Sequence, residues 1–99
     1  MRLSGRDILH EFIKTYKDAE NWLLNWVNDV EKSTWSSPHD VKKNYPSADP
    51  IGGNKMVFNV HGNKYRMQTK ILYNPANIVS IEWILTHAEY TRSLKRKPK

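Results

Sequence analysis

The chain of 99 residues has no cysteine, and that one absence excludes a disulfide scaffold, a thiolate zinc site and a cysteine nucleophile. No apolar run approaches the roughly 18 residues of a membrane span, and the first residues lack the short apolar block of a secretory signal. Acid is missing from the middle of the chain: no Asp or Glu occurs from residue 50 through residue 81. What is present, 38% hydrophobic and 11% aromatic residues, suits a small folded core. Two independent cores would need roughly 50 residues each at the least. The expectation is one cytoplasmic domain over 1–99 with no membrane association.

Sixteen basic and ten acidic side chains give a net charge of +6, and they are unevenly spread. Residues 1–50 hold seven basic and eight acidic groups, whereas residues 51–99 hold nine and two. A half this basic points to a polyanion, with nucleic acid the usual candidate. Arg92, Lys95, Arg96, Lys97 and Lys99 supply five of the charges. A flexible basic tail over 92–99 that serves only solubility is therefore the competing explanation.

Ser4-Gly5-Arg6-Asp7 reads as a capping box opening a helix over about 5–17, where Ile8, Leu9, Phe12, Ile13 and Tyr16 follow at helical spacing. Trp22, Leu23, Trp26, Val27 and Val30 repeat the pattern over about 19–32 as a core stripe. Ser37-Pro38-His39-Asp40 opens a short helix that stops before Pro46, and residues 45–55 read as a loop. Two alternating runs, Met56–His61 and Lys64–Tyr73, flank the turn pair Gly62-Asn63, which is a hairpin signal. After a second turn at Asn74–Asn77 comes a strand over Ile78–Leu85. Thr86-His87-Ala88-Glu89 is then a third capping box, starting a closing helix. A short strand at residues 1–3 completes the set. Helices packed on an antiparallel meander, with a short C-terminal helix, make an α+β domain.

With Gly62-Asn63 as the whole turn, Asn59 faces Arg66 and Phe58 faces Met67. Phe58, Val60, Tyr65, Met67, Thr69 and Ile71 then share one face, and Asn59, His61, Lys64, Arg66, Gln68 and Lys70 share the other. Residues two apart on a strand lie about 6.5–7 Å from each other, near the spacing of successive phosphates. Lys64, Arg66 and Lys70 thus suit a single-stranded backbone. A solvated polar face is the plain alternative, but such a face usually mixes signs and this one holds no acid. Glu82, on the next strand, is the expected partner of Arg66.

The last capping box sets His87 and Tyr90 three residues apart on one side of a first helical turn. A helix N-terminus attracts phosphate, and an imidazole both takes and gives protons near neutral pH. The same two residues also suit an ordinary cap and a core anchor. His10, His39 and His61 are scattered without spaced carboxylates, so no metal site and no cofactor are expected. Cutting RNA without metal needs a base for the 2′-hydroxyl, a cation for the phosphorane and an acid for the 5′-oxygen. His87, Arg66, Lys64 and Tyr90 offer those functions.

Three segments carry a family resemblance: Lys42-Lys43-Asn44-Tyr45-Pro46-Ser47-Ala48-Asp49, then Val57-Phe58-Asn59-Val60 with Gly62-Asn63-Lys64-Tyr65-Arg66, then Leu85-Thr86-His87-Ala88-Glu89-Tyr90. Over roughly residues 32–92 the chain resembles the HigB family of RelE-like toxins from bacterial type II toxin–antitoxin systems. The resemblance implies a RelE-like fold and an mRNA interferase that acts without metal, usually on the translating ribosome. It also implies a HigA-type helix-turn-helix antitoxin as partner. By position, Arg66 matches the sheet arginine of the family, and His87 and Tyr90 match its C-terminal catalytic segment. Some relatives carry a glutamate base on the sheet, whereas residues 56–73 here hold no carboxylate, and Thr91 stands where relatives often have Asp.

The reading that joins these strands is a cytoplasmic bacterial endoribonuclease with Arg66, His87, Tyr90 and Lys64 as catalytic residues. Asn59, Lys42, Lys43, Lys55, Lys70, Arg92, Lys95 and Arg96 are the expected contacts to messenger or ribosomal RNA. A non-catalytic RNA- or DNA-binding module and a basic protein that docks an acidic partner are the alternatives.

Overall fold

A computed structural model describes residues 1–96, with side chains through Leu94. Apolar periodicity builds the helices α1 (Arg6–Thr15) and α2 (Glu20–Lys32), joined by a 3₁₀ turn at Lys17–Ala19. A third helix, α3 (Pro38–Asn44), precedes the sheet, and α4 (His87–Arg96) follows it. The strands are β1 (Arg2–Ser4), β2 (Asp49–Gly52), β3 (Lys55–Val60), β4 (Tyr65–Leu72) and β5 (Ile78–Thr86). They form one sheet in the order β1-β5-β4-β3-β2. It is antiparallel except at its edge, where β1 runs parallel to β5, so the expected antiparallel sheet is in fact mixed.

One face of this sheet is the core. Met56, Phe58 and Val60 of β3, Met67, Thr69 and Ile71 of β4, and Val79, Ile81 and Ile84 of β5 are all buried. All but Thr69 join Leu9 of α1 and Leu23, Trp26 and Val30 of α2 in a single apolar cluster. Trp26 meets Phe58 edge to face at 5.5 Å, while Thr69 satisfies its hydroxyl by donating to the Met56 carbonyl at 3.1 Å. The β3–β4 register is the one the hairpin arithmetic requires, with Asn59 opposite Arg66 and Phe58 opposite Met67. The connection itself is longer than the turn pair: His61 and Gly62 both adopt positive φ, and residues 61–64 leave the ladder.

Four local expectations change in the folded chain. Ser4 does not cap α1, because it is drawn into β1 opposite Ser80. The cap falls to Gly5, at φ 89°, where a Cβ would sit 2.7 Å from the Ile81 carbonyl oxygen. Asp40 does not reach back to Ser37; it accepts from the amide and hydroxyl of Ser36 at 3.0 and 2.8 Å, and these bonds pull its carboxyl below the ordinary range. Part of the 45–55 loop is strand β2, added to the edge of β3 with an irregularity between Pro50 and Gly52. The basic segment expected to be a tail from residue 92 is helical through Arg96, with Ser93 and Leu94 turned toward the sheet.

Gly5→Ala combines an unfavourable left-handed backbone with a clash against the strand beside it. Loss of about 2 kcal/mol or more is expected, read as a lower urea midpoint with an unchanged slope.

Candidate functional site

The other face of the sheet, away from α1 and α2, holds the polar residues. It meets α4 through the capping box expected from sequence. Glu89 N donates to Thr86 Oγ1 at 3.1 Å, and Thr86 N donates to Glu89 Oε1 at 2.9 Å. His87, the first residue of α4, is exposed, and its amide donates to the Lys64 carbonyl at 2.9 Å. That bond ties the start of the helix to the chain entering β4. From there α4 turns over the outer face, so that Tyr90 lies 5.8 Å from Trp83, ring to ring, at 38°.

Arg66 is held among these groups. Its guanidinium donates to the carbonyls of Asn63 and Tyr65 at 3.3 and 3.1 Å and to Asn63 Oδ1 at 3.5 Å. Its Cζ stands 5.9 Å from the centroid of the Tyr90 ring, in cation–π range. The side chain is half-buried and has no carboxylate partner among the described residues. The expected ion pair with Glu82 is absent. Glu82 instead accepts from Gln68 Nε2 at 2.7 Å and lies 3.5 Å from Lys55 Nζ. The cause is a bulge in β5: Gln68 pairs with Trp83 and Thr69 with Ile81, which leaves Glu82 as the extra residue.

Lys64 and His61 depart from the shared face the sequence assigned them. At the hairpin end both turn to Asp18 of the 3₁₀ turn, with Lys64 Nζ at 3.0 Å and His61 Nε2 at 3.8 Å from Oδ2. The Tyr65 hydroxyl donates to the other oxygen at 2.6 Å. Asn59 is half-buried opposite Arg66 and borders a cleft of about 410 Å³ with Trp22, Tyr45 and Asn63. Lys70 is exposed, opposite Lys55 on the outer face. Lys42 is exposed on α3, and Lys43 faces a polar cleft with Asp29 and Asp40 among the helices, apart from Arg66. Arg92 sits on α4 beside Leu85 and Glu89. The side chains of Lys95 and Arg96, and residues 97–99, lie outside the described residues.

Asn63, Trp83 and Asp18 are contributors that sequence reasoning did not assign. Simple alternation from Val79 puts Trp83 and Leu85 in the core, and only the bulge turns them outward. Among the described residues no cluster of His, Asp or Glu could hold a metal ion, and no helix is long and apolar enough to cross a membrane.

The Asp18 cluster gives a pH signature. Accepting the Tyr65 hydrogen bond, and then that of Lys64, lowers the Asp18 carboxyl, and the same bond pushes the Tyr65 phenol from 10.0 to about 12. A lowered carboxyl stabilises the fold above its unfolded value and loses this as pH falls. A raised phenol stabilises it below 10.0 and loses this as pH rises toward about 12. In Asp18→Asn the Tyr65 phenol should titrate earlier, in ultraviolet difference spectra with Tyr65→Phe as the blank. A late titration surviving in Asp18→Asn would assign the shift to burial instead.

Comparison with known proteins bears on this arrangement. A family model described as HigB_toxin, the RelE-like toxic component of a toxin–antitoxin system, matches residues 19–93. No curated protein sequence matches the chain. The family match takes in the hairpin, the bulged strand and all but the end of α4, and the α+β fold agrees with it. The chain belongs to the HigB toxin family, the RelE-like toxic components of toxin–antitoxin systems.

Proposed function

We propose that this toxin is a metal-independent endoribonuclease that cleaves messenger RNA on translating ribosomes and so arrests growth. The observation that carries the reading is the setting of Arg66. Its guanidinium is partly exposed, aimed by Asn63 and the Tyr90 ring, and free of any carboxylate among the described residues. Two residues beyond Leu85, its ladder partner in β5, begins a ten-residue helix whose first side chain is an imidazole.

In the reaction, the ribose 2′-oxygen attacks phosphorus as its proton leaves, and the bond from phosphorus to the 5′-oxygen breaks. The products are a 2′,3′-cyclic phosphate and a 5′-hydroxyl that gains a proton. Arg66 neutralises the charge gathering on the phosphorane oxygens. His87 moves the proton, since its ring has no hydrogen-bond partner among the described residues and faces solvent. Tyr90 holds Arg66 in place through its ring. Lys64, engaged by Asp18 at 3.0 Å, adds its charge to the phosphate only on leaving that carboxylate. The RNA strand runs over Asn59, Lys55 and Lys70, with Lys42, Lys43, Arg92, Lys95 and Arg96 adding contacts outside the cleavage point. Its inhibitor is a HigA-type helix-turn-helix antitoxin, and its place of action is the bacterial cytoplasm.

Induced expression with mapping of mRNA 5′-ends tests the reading. Wild-type protein should stop growth and create new 5′-ends, and His87→Ala and Arg66→Ala should each lose about 100-fold or more of that cleavage. Both variants should still bind the antitoxin in a pull-down. Full cleavage by either variant removes the site assignment. Salt-sensitive RNA binding by the wild type with no scission leaves a non-catalytic binding module.

A further inference from the structure

Phosphate binding alone does not account for the cleft beside Arg66. Between α4 and the outer face lies a space of about 480 Å³, lined by Trp83, Tyr90, Gln68, Lys55, Ile51 and Leu94. Sites for small molecules run from about 300 to 1,000 Å³. This one is large enough for a nucleotide. Ile51 and Leu94 are 47% and 50% exposed, and Trp83 and Tyr90 are half-buried. Aromatic faces with an apolar rim, next to a guanidinium, suit the stacking of an unpaired base.

The polar part of the cleft has a fixed polarity. An ionised carboxylate only accepts hydrogen bonds, so the bond at 2.7 Å to Glu82 requires the amino group of Gln68 to point that way. Lys55, 3.5 Å from the same oxygen, steadies Glu82 in that position. The Gln68 amide therefore cannot flip, and its carbonyl oxygen remains as the free acceptor. An acceptor favours a base that carries an exocyclic amine. Uracil has none, and its two carbonyls flank its only ring N–H.

We propose that this cleft is a nucleobase pocket, in which a base next to the phosphate at Arg66 stacks on Trp83 while Gln68 selects adenine, cytosine or guanine over uracil. The choice of an RNA base as occupant rests on the endoribonuclease reading above. Charge supports it as well: Arg66 borders the aromatic pair and Lys70 lies exposed on the same face, so the sugar–phosphate chain beside the base meets cations. Glu82 is a positioning residue here, acting through the Gln68 amide.

The test is nuclear magnetic resonance of the ¹⁵N-labelled full chain titrated with AMP, CMP, GMP and UMP. The indole N–H of Trp83 and the side-chain amide of Gln68 should move with the first three, and UMP should bind about five-fold or more weakly. Gln68→Leu should erase that difference. Glu82→Gln, which keeps the size of the side chain but lets the Gln68 amide turn, should erase it too. Equal binding of all four nucleotides to wild-type protein overturns the proposal. So does movement of Trp22 in place of Trp83, or a Trp83 signal that answers only to the antitoxin. The readout is binding, so a protein that discriminates among nucleotides without cutting RNA removes the nuclease reading and keeps the pocket. One that cuts without discriminating removes the pocket alone.

Discussion

Burial of Met56, Phe58, Val60, Tyr65, Met67, Thr69 and Ile71 leaves the alternate residues of β3 and β4 no choice of side. A slip of one residue would carry the six apolar groups among them off the core face and turn the polar alternates into the core. The register is held by that cost, and with it the position of Arg66 opposite Asn59 on the outer face. Helix α4 is fixed by the same ladder, because Tyr65 pairs with Thr86, and the next residue begins the helix. The core thus decides where the polar groups of the opposite face stand, although it touches few of them.

Charge is sorted by position more than by total. Of the acidic groups near the hairpin and the outer face, Asp18 is taken up by Tyr65, Lys64 and His61, and Glu82 by Gln68 and Lys55. Arg66 receives backbone carbonyls, an amide and an aromatic ring instead. None of these neutralises it, so its positive charge stays available to an anion. A guanidinium paired with carboxylate would have to give up that partner before binding phosphate. The arrangement gives the endoribonuclease proposal its physical content, and the family match supplies the setting of a toxin with an antitoxin.

Features set by neighbours in sequence were legible, and those set by a distant strand were not. The Thr86–Glu89 box forms as read, since both residues lie within one helical turn and β5 delivers Thr86 in extended conformation. The Ser4 box has the same pattern and does not form, because pairing with Ser80 claims the residue. Asp40 shows a milder version, with its carboxylate shifted by one residue onto Ser36. The loop that became β2 lacks alternation and contains Pro50, so its strand character comes from the open edge of β3. Strand parity puts His61 and Lys64 on the outer face, but positive φ at His61 and Gly62 turns them toward Asp18, a residue more than 40 positions away.

The α+β class, the β3–β4 register, the acid-free basic half and the helix that His87 opens are all legible in the order of residues. Each of these follows from period, turn chemistry or composition within a short window. That Glu82 serves Gln68 and Lys55 while Asn63 and Tyr90 aim Arg66 emerges only on folding. Those partners depend on one extra residue in β5 and on the path of α4 across the sheet. A bulge leaves no period to read, and a helix's direction is settled by what it packs against.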